Sequence, residues 1–209
     1  MRQRIATPFR RFFKDQSASI TVEVVLIMPI LLWGYFGMFA LFDAYRSLST
    51  NVKASYTLGD MLSRETLPVD EDYINGLNRI QDVITQSGNK TVLRVTVVEY
   101  DDNETPSFAG DDFHDLKWSH ATDGMLPITE ATMEDAILDH LPSMFNGEQL
   151  IVVETWVAFV PFLDITTLKA ARRDNGALDD TTLDAFYFEN LVVTRPRFAG
   201  QLCWETCIE

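Results

Sequence analysis

The stretch VVLIMPILLWGYFGMFALF, running from Val24 to Phe42, decides the architecture. It holds no charged residue, and most of its positions are aliphatic or aromatic. Nineteen residues at ~1.5 Å of helical rise cover roughly 28 Å, close to the hydrocarbon thickness of a bilayer. Pro29, Gly34 and Gly37 interrupt the run, and such residues are tolerated in membrane helices. The stretch reads as a transmembrane helix. The rival is a cleaved secretory signal, which normally has a shorter apolar core and a small-x-small cleavage site. Phe39-Ala40-Leu41-Phe42-Asp43 offers no such site.

The flanks set the expected orientation. Arg2, Arg4, Arg10, Arg11 and Lys14 precede the span, and only Arg46 and Lys53 follow it closely. The positive-inside bias keeps the first eighteen or so residues cytoplasmic and sends the rest outward. Residues up to Glu23 hold 5 of the 17 basic and 2 of the 31 acidic side chains, leaving 12 basic and 29 acidic beyond, a net of −17. Such a field favours solubility and repels nucleic acid, so no nucleic-acid partner is expected.

Helical spacing continues past the span. Leu41, Tyr45, Leu48, Val52, Tyr56, Gly59 and Leu62 follow at steps of three and four, with Asp43, Arg46, Lys53 and Asp60 off the stripe. Pro68 ends the pattern. One long helix is expected from near Ser19 to near Glu65, packing its stripe on a soluble domain or on neighbouring subunits. The chain then divides into a basic leader (1–18), a membrane span (19–42), a helical extension (43–66) and an extracytoplasmic domain (67–209).

In that domain Asp70 can cap a helix that carries Ile74, Leu77, Ile80 and Ile84 and ends near Gly88. Thr91 to Tyr100, Phe113 to His120, Leu150 to Val160 and Ala185 to Thr194 read as strands. Asp123-Gly124 closes the second of them. Thr129 can cap a short helix with Met133, Ile137 and Leu141, stopped by Pro142. This order predicts an α+β fold: a long N-terminal helix and a small, mostly antiparallel sheet with short helices.

Glu23 is the most informative single residue, an acid at the cytoplasmic edge of the span. Carrying a carboxylate into the bilayer costs a few kcal/mol, so such a group is normally paired or functional, unless it stays at headgroup level. Its setting, a basic tail followed by Ser17-Ala18-Ser19-Ile20-Thr21-Val22-Glu23 and a long apolar helix, resembles the N-terminal signal of type IV pilins and pseudopilins. That family is cut by a membrane-embedded aspartyl peptidase after a small residue, and glutamate is fifth in the mature chain. The resemblance implies cleavage between Ala18 and Ser19, with Glu23 neutralising a neighbour's new α-ammonium where water is scarce. The family usually has glycine where this chain has Ala18, and an aromatic where it has Val24.

Downstream stretches narrow the match. Ser19 to Leu32, the Val95–Val98 strand with Lys117-Trp118-Ser119, Val152-Val153-Glu154-Thr155-Trp156 with Pro161, and Val193-Thr194-Arg195-Pro196-Arg197 are similar to TadE-like minor pseudopilins of the tight-adherence (Flp-type) pilus system. The resemblance implies a single-pass inner-membrane subunit that joins or primes a secreted fibre. Its partners would be other pilin and pseudopilin subunits, the inner-membrane assembly platform, the prepilin peptidase and the lipid bilayer. It implies no catalytic activity and no cofactor.

The remaining constellations read more simply. Cys203 and Cys207 fall in the exported part, where a disulfide persists, and one would add ~2 kcal/mol by loop entropy. Asp101, Asp102, Glu104, Asp111, Asp112 and Asp115 supply hard oxygens of the kind calcium takes, but they miss the EF-hand spacing and read as a solvated loop. Glu154 sits mid-strand and needs a partner if buried, with Arg195 and Arg197 as candidates. His114, His120 and His140 have no recognisable ligand spacing. Two further functions compete with a pilus subunit: a membrane-anchored periplasmic binding or sensing module, and a tethered hydrolase using a pair of loop carboxylates.

Overall fold

The computed structural model describes residues 19–88, 90–101, 113–159 and 186–207. The leader through Ala18, most of the acidic loop (102–112) and the connection holding Pro161 (160–185) lie outside the described residues. The fold is α+β: a long N-terminal helix, a four-stranded antiparallel sheet and short helices. Contacts divide the chain into two units at Asp43.

Helix α1 spans Ser19–Arg64, 46 residues or about 69 Å at 1.5 Å per residue. No break occurs at Asp43. Within the first unit every described side chain from Val22 to Phe39 is exposed, and Trp33 reaches 81%. Pro29 lies inside the helix and has no N–H to give the carbonyl four residues earlier, that of Val25. This helix is long and apolar enough to cross a membrane.

In the second unit α1 ends where Glu65 turns its carboxylate onto the backbone. Its Oε1 accepts from Thr66 N–H at 3.0 Å and Leu67 N–H at 3.1 Å. Helix α2, Glu71–Thr85, starts with Asp70 accepting Tyr73 N–H at 2.8 Å. It stops at Thr85, where the C-cap Gln86 has a left-handed φ of 55°, close to the expected end near Gly88. Ile74, Leu77 and Gln81 are its buried face. Ile80 is 36% exposed and Gln81 takes the inner place, donating to Trp156 O at 3.2 Å.

Strands β1 (Thr91–Asp101), β2 (Phe113–Ala121), β3 (Gln149–Phe159) and β4 (Phe186–Thr194) form one sheet in the order β2-β1-β3-β4. Every pairing is antiparallel, with a register shift opposite Val97 and Val98 where β2 carries Lys117 as an extra residue. Helix α3, Glu130–Ala136, is shorter than its spacing predicts, and Leu138–His140 continues it only as a 3₁₀ turn. Met133 and Ile137 are nonetheless buried.

Both faces of the sheet are covered. Leu93, Val95, Val97, Ile151 and Val153 pack with Leu58 and Leu62 of α1, Ile74 and Leu77 of α2, Val69 and Leu202. Val98 and Val152 meet Ile128, Met133 and Ile137 on the opposite side. Double coverage explains why Leu150 to Val153 is continuously apolar instead of alternating.

The buried face of α1 corrects the sequence reading. Asn51, Ala54, Ser55, Leu58 and Leu62 are each 0% exposed, whereas Tyr45 is 72% and Tyr56 64% exposed. Leu48 and Val52 are half-buried. The contact face keeps Gly59 and Leu62 of the apolar stripe but is otherwise shifted toward Asn51, Ala54, Ser55 and Leu58, which turns Tyr45 and Tyr56 outward. Small and hydrogen-bonding residues win because the helix lies close against β3 and β4. A side chain at Gly59 would touch Val192 and Thr194 directly, so bulky tyrosines are turned away.

Candidate interaction and charge sites

The interface between α1 and the sheet is built around a short chain of hydrogen-bonded polar groups. Asn51 Nδ2 donates to Phe188 O at 3.1 Å. Ser55 Oγ lies 2.8 Å from Asn51 O and 2.6 Å from Thr155 Oγ1. Thr155 Oγ1 also reaches Asn190 O at 3.3 Å. Each hydroxyl has one proton, so the chain runs in one direction at a time, toward Asn51 O or toward Asn190 O. Buried and joined by these bonds, with Asn51 Oδ1 and Asn190 Nδ2 left without a partner among the described residues, these groups fix the rotation of the helix as apolar contact alone would not.

At the other end of α1, Ser19 opens the helix and Glu23 is exposed on it. Glu23 lines a shallow groove with Val24, Ile27, Met28 and Leu31. Among the described residues it has no hydrogen-bonded or charged partner. Ala18, the other half of the expected processing site, lies outside the described residues.

Glu154 is buried, as its mid-strand position suggested, at 2% exposure. Its partner is Arg94, which neither Arg195 nor Arg197 replaces. Arg94 Nε and Nη2 each donate to a Glu154 oxygen at 2.6 Å, a bidentate pair. The guanidinium also lies 5.2 Å from the Trp156 ring centroid. The register Arg94↔Glu154 puts them opposite each other. Arg195 instead pairs with Glu148 at 2.7 Å, and Arg197 with Asp60 at 3.3 Å, because both lie beyond the end of β4. Arg94 carried a usable signal: two lone opposite charges, each inside an apolar strand, have few other places to go.

Smaller charge clusters complete the surface. Lys117 bridges Asp115 at 2.9 Å and Glu99 at 3.3 Å, and the hydrogen bond to Asp115 holds its ammonium pKa above the ordinary lysine value. Burial depresses the His114 pKa. The Leu67 N–H bond lowers the Glu65 carboxyl. Burial, with Glu65 beside it, pushes the Tyr73 phenol up to about 12.

Asp115 is thus an ion-pair member. Among the described residues no group of His, Cys, Asp and Glu is arranged to hold a metal. Two carboxylates, Asp82 and Asp123, do share a depression of about 240 Å³ with Asn75, Asn78, Arg79 and Thr91. Each already accepts a hydrogen bond, Asp123 from Asn78 Nδ2 at 2.7 Å and Asp82 from Ser87 Oγ at 2.5 Å. Cys203 and Cys207 are disulfide-bonded, with Cα atoms 5.1 Å apart. No family model, curated protein or solved structure matches the chain.

Proposed function

We propose that the chain is a TadE-like minor pseudopilin or assembly factor of a tight-adherence pilus, working by helix packing. The observation that carries this reading is helix α1 itself. It begins at Ser19, carries in an exposed apolar run a Glu23 with no partner among the described residues, and continues as one helix to Arg64, where Leu58 and Leu62 enter the core of the α+β domain. A side chain that costs energy in lipid and has no partner among the described residues asks for one from a neighbour. The basic tail favours a cytoplasmic N-terminus and a periplasmic domain. Prepilin peptidase, pilin-type subunits and the assembly platform are the partners on this reading.

Mass spectrometry of the mature N-terminus should find a chain starting at Ser19. Glu23→Ala should still insert and be cut, but lose the partner of the new α-ammonium. Breaking such a poorly solvated pair costs about 3–5 kcal/mol, roughly two to nearly four decades in association, so subunit cross-linking should fail at unchanged protein level. Normal cross-linking by both Glu23→Ala and Glu23→Gln would reduce Glu23 to a headgroup-level acid. An N-terminus still at Met1 would favour a membrane-resident assembly factor over a fibre subunit. The polar depression around Asn78 and Asp123 favours a second reading, a membrane-anchored binding module, which predicts ligand binding with Glu23 dispensable.

A further inference from the structure

The segment 201–207 is fastened to the domain at two places of different kind. The inner fastening is Leu202, buried in the same cluster as Leu58 and Leu62. Its N–H donates to Gln149 Oε1 at 3.2 Å, and its carbonyl accepts from Trp118 Nε1 at 2.8 Å. The outer fastening is a backbone bridge to Val69, in the turn between α1 and α2. Val69 N–H donates to Cys203 O at 2.9 Å, and Glu205 N–H donates to Val69 O at 2.8 Å. There the Trp204 ring stacks on His120 at 4.8 Å and packs on Trp118 at 5.1 Å.

The disulfide encloses the outer fastening only, since Trp204, Glu205 and Thr206 lie within its ring. Glu205 is held at φ 54°, a left-handed conformation that side-chain-bearing residues seldom adopt. Cys207 is exposed and Cys203 only partly covered, so a thiolate can reach the bond. Loop-closure entropy grows with loop length, so so small a ring constrains its own members more than the domain.

We propose that Cys203–Cys207 is an exchange site for a dithiol oxidoreductase, and that its redox state closes or releases the fastening on Val69. A reductant thiolate attacks Cys207 Sγ. The S–S bond breaks, a mixed disulfide forms, and Cys203 leaves as a thiolate that takes a proton from water. The second reductant thiolate then attacks the mixed disulfide, freeing Cys207 and leaving the reductant oxidised by two electrons. With the ring open, Glu205 relaxes, its N–H leaves Val69, and Trp204 comes off His120, while Leu202 stays buried. The site is independent of the pilus reading.

Hydrogen exchange on the full chain in detergent, with and without dithiothreitol, tests this. Reduction should proceed without denaturant and speed exchange at Val69 and Glu205 at least tenfold, leaving Leu202, β1 and β3 unchanged. Equal rates in both states would overturn it, as would opening of Leu202 and the strands together with Val69. The double variant Cys203→Ser/Cys207→Ser should show the reduced pattern with or without dithiothreitol, and the oxidised pattern there would also overturn the proposal. A thioredoxin with its resolving cysteine replaced by serine should be trapped on Cys207. No adduct, or one on Cys203, would defeat the assigned chemistry.

Discussion

The two halves of α1 invert the usual relation between hydrophobicity and burial. From Val22 to Phe39 the helix is almost wholly apolar and exposed on every side. From Asn51 to Ser63 its buried residues include Asn51, Ser55 and Ser63 alongside Leu58 and Leu62. The first half has the composition of a helix whose surroundings are hydrocarbon, where nothing is gained by hiding an apolar face from water. The second must approach a sheet closely, so small size and matched hydrogen bonds decide which face turns inward. Polarity locates the contact there better than hydrophobicity does.

The largest test of that difference compares one leucine from each half. Leu58→Ala removes a fully buried side chain and should cost about 2–5 kcal/mol in unfolding of the detergent-solubilised chain. Leu31→Ala, at a position 63% exposed, should leave the same transition within about 0.5 kcal/mol. Equal losses would erase the distinction between the halves.

A subtler break targets the hydroxyl chain. Ser55→Ala leaves buried Thr155 short of a partner and should cost about 1–3 kcal/mol, whereas adding Thr155→Val should recover part of the loss. A double-mutant cycle in chemical denaturant reads the coupling, and additive losses would mean the two hydroxyls act separately.

At Gly59 the expected sign is reversed. A Cβ there would sit 3.5 Å from Val192 Cγ1 and 3.8 Å from Thr194 Cγ2, ordinary contact distances. Gly59→Ala should therefore stabilise by about 0.4–1 kcal/mol through the unfolded chain, while Gly59→Leu should destabilise. Thermal unfolding of the pair measures how much free space separates helix from sheet.

The smallest effects belong to the joint after α1. Tyr73 is raised to about 12 from 10, so the unfolded chain loses that proton first. Its stabilising contribution is complete below pH 10 and fades as pH rises toward 12. Glu65 is lowered, so the unfolded chain binds its proton first, and that contribution fades as pH falls below the ordinary value of 4.5. Unfolding followed against pH should show the alkaline loss reduced in Tyr73→Phe and the acid loss reduced in Glu65→Gln.

Much of this was legible in the chain. The long helix, the four strands and the Asp70 cap follow from period, β-branched runs and Pro68, all local signals. The rotation of α1 was not legible, because it depends on Thr155, Asn190 and Phe188, residues far away in sequence that present hydroxyls and carbonyls at the right height. A search for apolar stripes passes over such a face. Gln81 was overlooked in α2 for the same reason, its amide being wanted by a carbonyl of β3. Glu154 takes Arg94 and not Arg195 or Arg197 because strand register, which local pattern does not reveal, places Arg94 directly opposite it. Glu23 stands apart: its part in the site rests on a resemblance in the leader and on the lack of a partner within the described chain.

The polar bonds of α1 also set a timetable. Ser55 waits for Thr155, 100 residues later, and Asn51 for Phe188, 137 residues later. At synthesis rates of roughly 5–20 residues per second, the second wait lasts about 7–27 s. During that interval the helix is complete by local rules, yet its sheet-facing amide and hydroxyl have only water or a chaperone to bond. Contacts this distant are slow to form and come late in folding. Nascent chains stalled before Phe188 should thus expose Leu58 and Leu62 to a holdase, and chains released beyond Thr194 should not.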